Sequence, residues 1–213
     1  MNRKVLTTLA AVVLVIAGFI WLTKPKPQSS SSASKPSSHI EGKGSAGVTL
    51  VEYGDYQCPA CRAYHPVVKA LAETYKDRIF FQFRNYPLES LHQNARAGAR
   101  AAEAANIQGK FWEMHDSLYE NQTAWESVGD PLTLYTSYAK QIGITDIAKF
   151  TTDYKSSAVN NIINADLKEG QKFTITGTPT FILNGKKIDN PRDQPAFTKV
   201  IDDAIAAKKK TSK

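Results

Sequence analysis

Cysteine is nearly absent from this chain: there are two in 213 residues, Cys58 and Cys61. That excludes a disulfide-stapled scaffold and a zinc site built on four thiolates. A lipoprotein anchor is excluded as well, because no cysteine lies near the N-terminal apolar run. A clustered basic face is also missing, despite a formal net charge of +7. Residues 1–47 hold six of the 27 basic side chains and one of the 20 acidic ones, Glu41, which leaves 21 basic against 19 acidic beyond. Lys208, Lys209, Lys210 and Lys213 belong to that remainder, so the positive charge is on the tails and nucleic-acid binding is not expected. Hydrophobic content of 42% and charged content of 22% are globular values, and the length suits one domain or one with an insert.

The one long apolar run covers 5–22 and follows Arg3 and Lys4. Its 18 residues are at the lower end for a spanning helix, and Trp21 lies where an interfacial aromatic would sit. No small-residue cleavage site directly follows, so 1–22 is expected to be an uncleaved transmembrane signal anchor. Basic residues flank both sides, and the expected orientation follows the habit of short signal anchors to export what comes after them. Residues 23–47, with QSSSSASKPSS at 28–38, are expected to form a flexible tether with a span of about 25–30 Å.

The body alternates in character. Residues 48–53 are β-rich, 59–76 have amphipathic helical spacing with Pro66 inside, and 79–85 (IFFQFRN) read as a strand. Two parallel strands joined by that helix make a βαβ unit. Helices are expected at 91–106, 110–120, from Asp130-Pro131 to just before Gly143, at 145–154 and at 156–172. Strands return at 180–183 and 186–188 around Asn184-Gly185, a two-residue hairpin signal, and a helix over 194–207 closes the body. The expected divisions are 48–87 with 173–207 as one domain, 88–172 as a helical insertion, and 208–213 as a basic tail.

Cys58-Pro59-Ala60-Cys61 sits where the first strand gives way to the helix. A C-x-x-C there is the arrangement of a thiol–disulfide redox centre. A structural disulfide closing so short a ring removes little chain entropy, and a metal site would need histidines to complete it. No metal is assigned. Cys58 is expected at the helix N-terminus, where dipole and free N–H groups lower a thiol pKa from about 8.5. Cys61, one turn on, is expected to resolve mixed disulfides. His65 lies near the same helix face but is expected to pack or face solvent. His39 is read as part of the tether, and His92 and His115 are assigned no chemistry. Tyr56 and Gln57 are candidate site-lining residues, and Phe111, Trp112, Met114 and Leu118 have the spacing of a helix core.

The runs 48–61 (VTLVEYGDYQCPAC), 109–116 (GKFWEMHD) and 176–185 (TGTPTFILNG) together resemble the DsbA-like branch of the thioredoxin superfamily. The resemblance covers roughly 40–207 and implies an α/β thioredoxin fold with an inserted all-helical domain, here behind the N-terminal anchor. It implies that Thr178-Pro179 is a cis-proline loop against the cysteines, with Thr178, Pro179, Pro59 and Ala60 meeting substrate. It implies that Glu52 is a buried acid moving protons to and from Cys61. The variable Pro59-Ala60 pair lacks the histidine of the best-known periplasmic oxidase, which leaves redox strength open.

The expected activity is extracytoplasmic thiol–disulfide exchange at the cell membrane, in the oxidising direction, on reduced or unfolded exported proteins. The redox-active Cys58–Cys61 disulfide would need no other cofactor. A membrane quinone-linked thiol oxidase is the implied electron acceptor, and the chain is expected to be a monomer. The alternatives are a reductase or isomerase of the same fold, or a non-catalytic surface-binding module.

Overall fold

The computed structural model describes residues 34–211. The expected anchor and residues 23–33 of the expected tether lie outside the described residues. Among those described, no helix is long and apolar enough to cross a membrane.

Five strands form one sheet: β1 (His39–Glu41), β2 (Val48–Gly54), β3 (Ile79–Asn85), β4 (Thr180–Leu183) and β5 (Lys186–Ile188). Their spatial order is β1-β3-β2-β4-β5. β2 and β3 are parallel and joined by α1 (Pro59–Tyr75), while the other pairings are antiparallel. Val, Phe and Tyr dominate the two long strands because β-branched and aromatic side chains suit a pleated, half-buried surface. α1 starts with Pro59, whose missing N–H costs nothing in a first turn, and runs on through Pro66. Asn184 and Gly185 both take positive φ, which joins β4 to β5 by a tight hairpin.

Between β3 and β4 the chain is helical: α2 (Ala95–Asn106), α3 (Phe111–Glu120), α4 (Gln122–Trp125), α5 (Leu132–Gln141), α6 (Ile147–Tyr154) and α7 (Ser157–Gly170). Asp146 and Ser156 cap α6 and α7 by accepting from Lys149 N and Val159 N. α8 (Gln194–Thr211) closes the chain.

The buried apolar side chains form two cores. In one, Val48, Leu50, Leu71, Phe181, Phe197 and Ile201 pack α1 and α8 onto the strands. In the other, Phe83 and Tyr56 join the helical layer around Trp125, Tyr135 and Phe150. Wholly buried side chains of this kind stabilise by about 1.5–3 kcal/mol each. Cys58 and Cys61 belong to the second core, so the helical layer forms one wall of the site.

Three expectations need correction. The tether does not extend to residue 47, because β1 pairs with β3 and His39 stacks on Phe111 with ring centroids 3.4 Å apart. The helix expected from 91 starts at Ala95, because Asp55 captures the Leu88 N–H and the His92 ring and holds the preceding loop out of helix. The basic tail is helical as far as Thr211, with Lys208, Lys209 and Lys210 in the last turn of α8, where the helix dipole favours cations.

Candidate active site

Cys58 is the N-cap of α1, in extended conformation, and Cys61 lies one turn inside. The loop before them is fixed by Asp55. Its side chain accepts from Gln57 N, Leu88 N and His92 Nδ1, and its carbonyl accepts from Cys58 N. Gln122 braces the other side, donating through Nε2 to the carbonyls of Tyr56 and Cys58. Tyr56 and Gln57 therefore shape the site from below, through contacts with the helical layer.

Opposite the cysteines, the Thr178-Pro179 peptide bond is cis. The Cys58 thiol donates to the Thr178 carbonyl at 3.2 Å, and Asn190 Nδ2 donates to the Pro179 carbonyl. The loop is thus pinned against the reactive sulfur, although it lies 120 residues away in sequence. Pro59 and Ala60 are exposed on the first turn beside it.

The two sulfurs have opposite electrostatics. Cys58 is held down to about 5. The largest cause is the hydrogen bond from the Cys61 thiol. Burial opposes it, and the Thr178 side chain and the N–H groups of Cys61 and Ala60 assist. The expected helix-start donors are therefore present but second to the neighbouring thiol. Cys61 is wholly buried, and desolvation pushes its thiol well above the ordinary range, with the bond to Cys58 adding to the effect. Glu52 sits on β2 between Phe83 and Phe181, almost fully buried. Desolvation, with the nearby Cys58 charge, raises its carboxyl to about 8. The structure thus brings Glu52, Cys58, Cys61, Thr178 and Pro179 together.

Behind Glu52 lies a cavity of about 560 Å³ between α1 and α3, lined also by His65, His115, Asp116 and Lys69. His65 is buried, with Nε2 2.8 Å from Asp116 Oδ1, while Lys69 takes Asp116 Oδ2 at 2.7 Å. Burial opposes the Asp116 charge, but the hydrogen bonds from His65 and Lys69 outweigh it and hold the carboxyl below its usual range. His115 pairs through Nδ1 with the Tyr56 hydroxyl, and burial drives it down to about 3, so its ring is neutral. His65, His115 and Asp116 present donor atoms within 4.8 Å of one another, but both Asp116 oxygens are already engaged and we assign no metal there. From the sequence, His115 carries no assigned chemistry and His65 is expected only to pack or face solvent. The only signal of their meeting was the placement of His115-Asp116 on a helix with core spacing.

The sequence profile of the family described as thioredoxin matches residues 34–203. The chain belongs to the thioredoxin family. It is 32% identical over 167 residues to the probable disulfide bond formation protein D of Bacillus cereus, covering 76% of each chain. It also matches a Mycolicibacterium gilvum protein named Na(+)/H(+) antiporter NhaA 1, at 31% identity over 189 residues. That match covers 85% of this chain, which spans 29% of that relative's length. Among solved structures, oxidised BdbD of Bacillus subtilis superposes with a TM-score of 0.71 at 25% identity, covering 82% of this chain and 97% of that one. Wolbachia pipientis α-DsbA1 has the same fold, with a TM-score of 0.71 at 19% identity over 90% of this chain and 98% of its own. This thioredoxin-family chain is a DsbA-like thiol–disulfide oxidoreductase, and enzymes of this type work through the cysteine pair without an external cofactor.

Proposed function

We propose that the enzyme is a dithiol oxidase that introduces disulfides into exported proteins. It would be held at the membrane by residues 5–22 with its catalytic domain on the extracytoplasmic side. The observation that carries the direction is the placement of Cys58 at the start of α1, beside the Cys61 thiol and the Thr178 loop, which holds its pKa down to about 5. A stabilised thiolate favours the reduced enzyme and so makes the disulfide a ready electron acceptor. The name of the Bacillus cereus relative supports the same direction.

In the oxidised enzyme a substrate thiolate attacks Cys58 Sγ. The Cys58–Cys61 bond breaks, and its electron pair goes to Cys61. Because burial disfavours a Cys61 anion, that sulfur takes a proton, which Glu52 is placed and protonated to give. The substrate's second thiolate attacks its own sulfur in the mixed disulfide, closes the product disulfide and releases Cys58 as a thiolate. One proton stays on Cys61 and one reaches solvent. Thr178 and cis-Pro179 offer backbone beside Cys58 for an extended peptide segment. A membrane thiol oxidase linked to quinone would then restore the disulfide, and the exporting compartment suits such a cycle.

Equilibration against a glutathione redox series tests the direction. A potential well above that of thioredoxin is expected, and one near −270 mV would replace the oxidase reading with a reductase. In parallel, Cys58→Ser should abolish oxidation of a reduced test protein, and unchanged activity would sink the mechanism.

A further inference from the structure

Glu52 must lose and regain a proton in every cycle, yet it is 2% exposed. No described protein group donates a hydrogen bond to its carboxyl. The cavity behind it connects it to other titratable groups and is large enough for water, which needs only about 10–15 Å³ per probe-sized site. Also on its lining, His65 and Asp116 form a hydrogen-bonded pair whose Asp116 side chain is 31% exposed. An imidazole can accept a proton on one ring nitrogen and release one from the other. We propose that the His65–Asp116 pair is the solvent-side relay through which Glu52 exchanges its proton during each cycle at Cys61. The inference rests on the exchange chemistry proposed above and adds the route by which its proton leaves.

Each step balances. When the Cys58–Cys61 bond breaks, the Cys61 sulfur takes the Glu52 proton. The Glu52 carboxylate is then reprotonated by water in the cavity, that water by His65, and His65 by bulk solvent. Reoxidation runs the same steps in reverse. His115 cannot substitute, because its ring stays neutral in its aromatic surroundings. Other groups also face His65: Arg62 and Lys69 from α1, Tyr119 and Glu120 from α3, and Glu41 across the cavity. Lys69 holds the second Asp116 oxygen, which leaves Oδ1 to orient the His65 ring.

His65→Asn keeps a polar partner for Asp116 but cannot carry a proton. The oxidised protein is reacted with dithiothreitol in single turnovers at low buffer concentration, with and without imidazole. The expected result is a roughly 10-fold slower reaction, restored by imidazole, with the Cys58 thiolate titration unmoved. A wild-type rate, or a loss that imidazole does not repair, overturns the relay. If His65→Asn fails to fold, Asp116→Asn takes the same measurement with the same expected loss and the same overturning results. Failure of the oxidase reading looks different, because the wild-type protein would then react normally with dithiothreitol but leave reduced proteins unoxidised.

Discussion

Two buried polar clusters flank β3, and they are built to different rules. Around Asp166, donors converge from four directions: Ser37 N at 2.7 Å, Asn85 N and Nδ2 each at 3.0 Å, and Arg84 Nη1 at 3.2 Å. Glu103 Oε1 extends the cluster to Asn85 Nδ2 and His39 Nε2. The cluster ties β1, β3, α2 and α7 together. Around Glu52 no described group donates to the carboxyl, and a cavity stands where donors would be. A carboxylate crowded with donors fixes structure. One stripped of donors holds a proton instead and can pass it on.

Breaking the first cluster should cost most. Asp166→Ala leaves Arg84 and the Asn85 donors facing an empty site, and is expected to destabilise by about 3–5 kcal/mol in a denaturant titration. The Cys58 thiolate titration should not move. A variant as stable as wild type would mean that the crowded donors are not structural.

Glu52→Gln should do the opposite to stability while slowing the chemistry. With its folded pKa raised, Glu52 keeps its proton between about pH 4.5 and 8 where the unfolded chain has lost it. The wild-type enzyme therefore loses stability as pH rises through that window, on the order of 3–5 kcal/mol across it. Glu52→Gln should flatten that slope, leaving the variant the more stable protein at pH 8. Its single-turnover rate should fall by about 10-fold or more. An unchanged slope would place the proton elsewhere.

Cys58 adds a term of opposite sign to the reduced enzyme only. Its thiolate stabilisation is fully present above the unfolded pKa near 9 and is lost as pH falls through about 5. The stability of the reduced enzyme over that of the oxidised one should therefore widen from pH 5 to 9, measured as paired denaturation curves. Cys61→Ala removes the largest support of the thiolate, so the absorbance titration of Cys58 at 240 nm should shift upward from about 5. The same variant should trap substrate as mixed disulfide through Cys58. A titration that stays at 5 would return the effect to the helix start alone.

Much of the reactive half was legible because it is local in sequence. A β-rich run, a proline in the first helical turn and a C-x-x-C lie within thirty residues, and the hairpin is announced by Asn184-Gly185. Glu52 and the Thr178-Pro179 loop were legible through the family resemblance, which supplied contacts that spacing alone does not. The rest depends on distant pairings. β1 is only three residues long at the edge of a serine-rich stretch, and its order comes from Phe111 and Glu103, more than sixty positions on. His65 meets Asp116 across 51 residues and two helices. A cavity has no sequence signature at all. The bond from Cys61 to Cys58 depends on side-chain direction within one turn, which the motif leaves undefined.

The smallest effect should come from Lys69, at the rim of the open cluster. Its ammonium takes Asp116 Oδ2 at 2.7 Å, but the side chain is 53% exposed, so solvent screens the pair. Lys69→Ala should cost no more than about 1 kcal/mol, with the difference shrinking at high salt. The stronger contrast is kinetic. Asp116 Oδ1 keeps its bond to His65 in this variant, so the dithiothreitol reaction should keep nearly its wild-type rate and gain nothing from imidazole. A rate loss as large as that of His65→Asn would mean that rim charge, and not the His65–Asp116 bond, governs the cavity. That outcome would erase the distinction between a cluster that only fixes structure and one that moves protons.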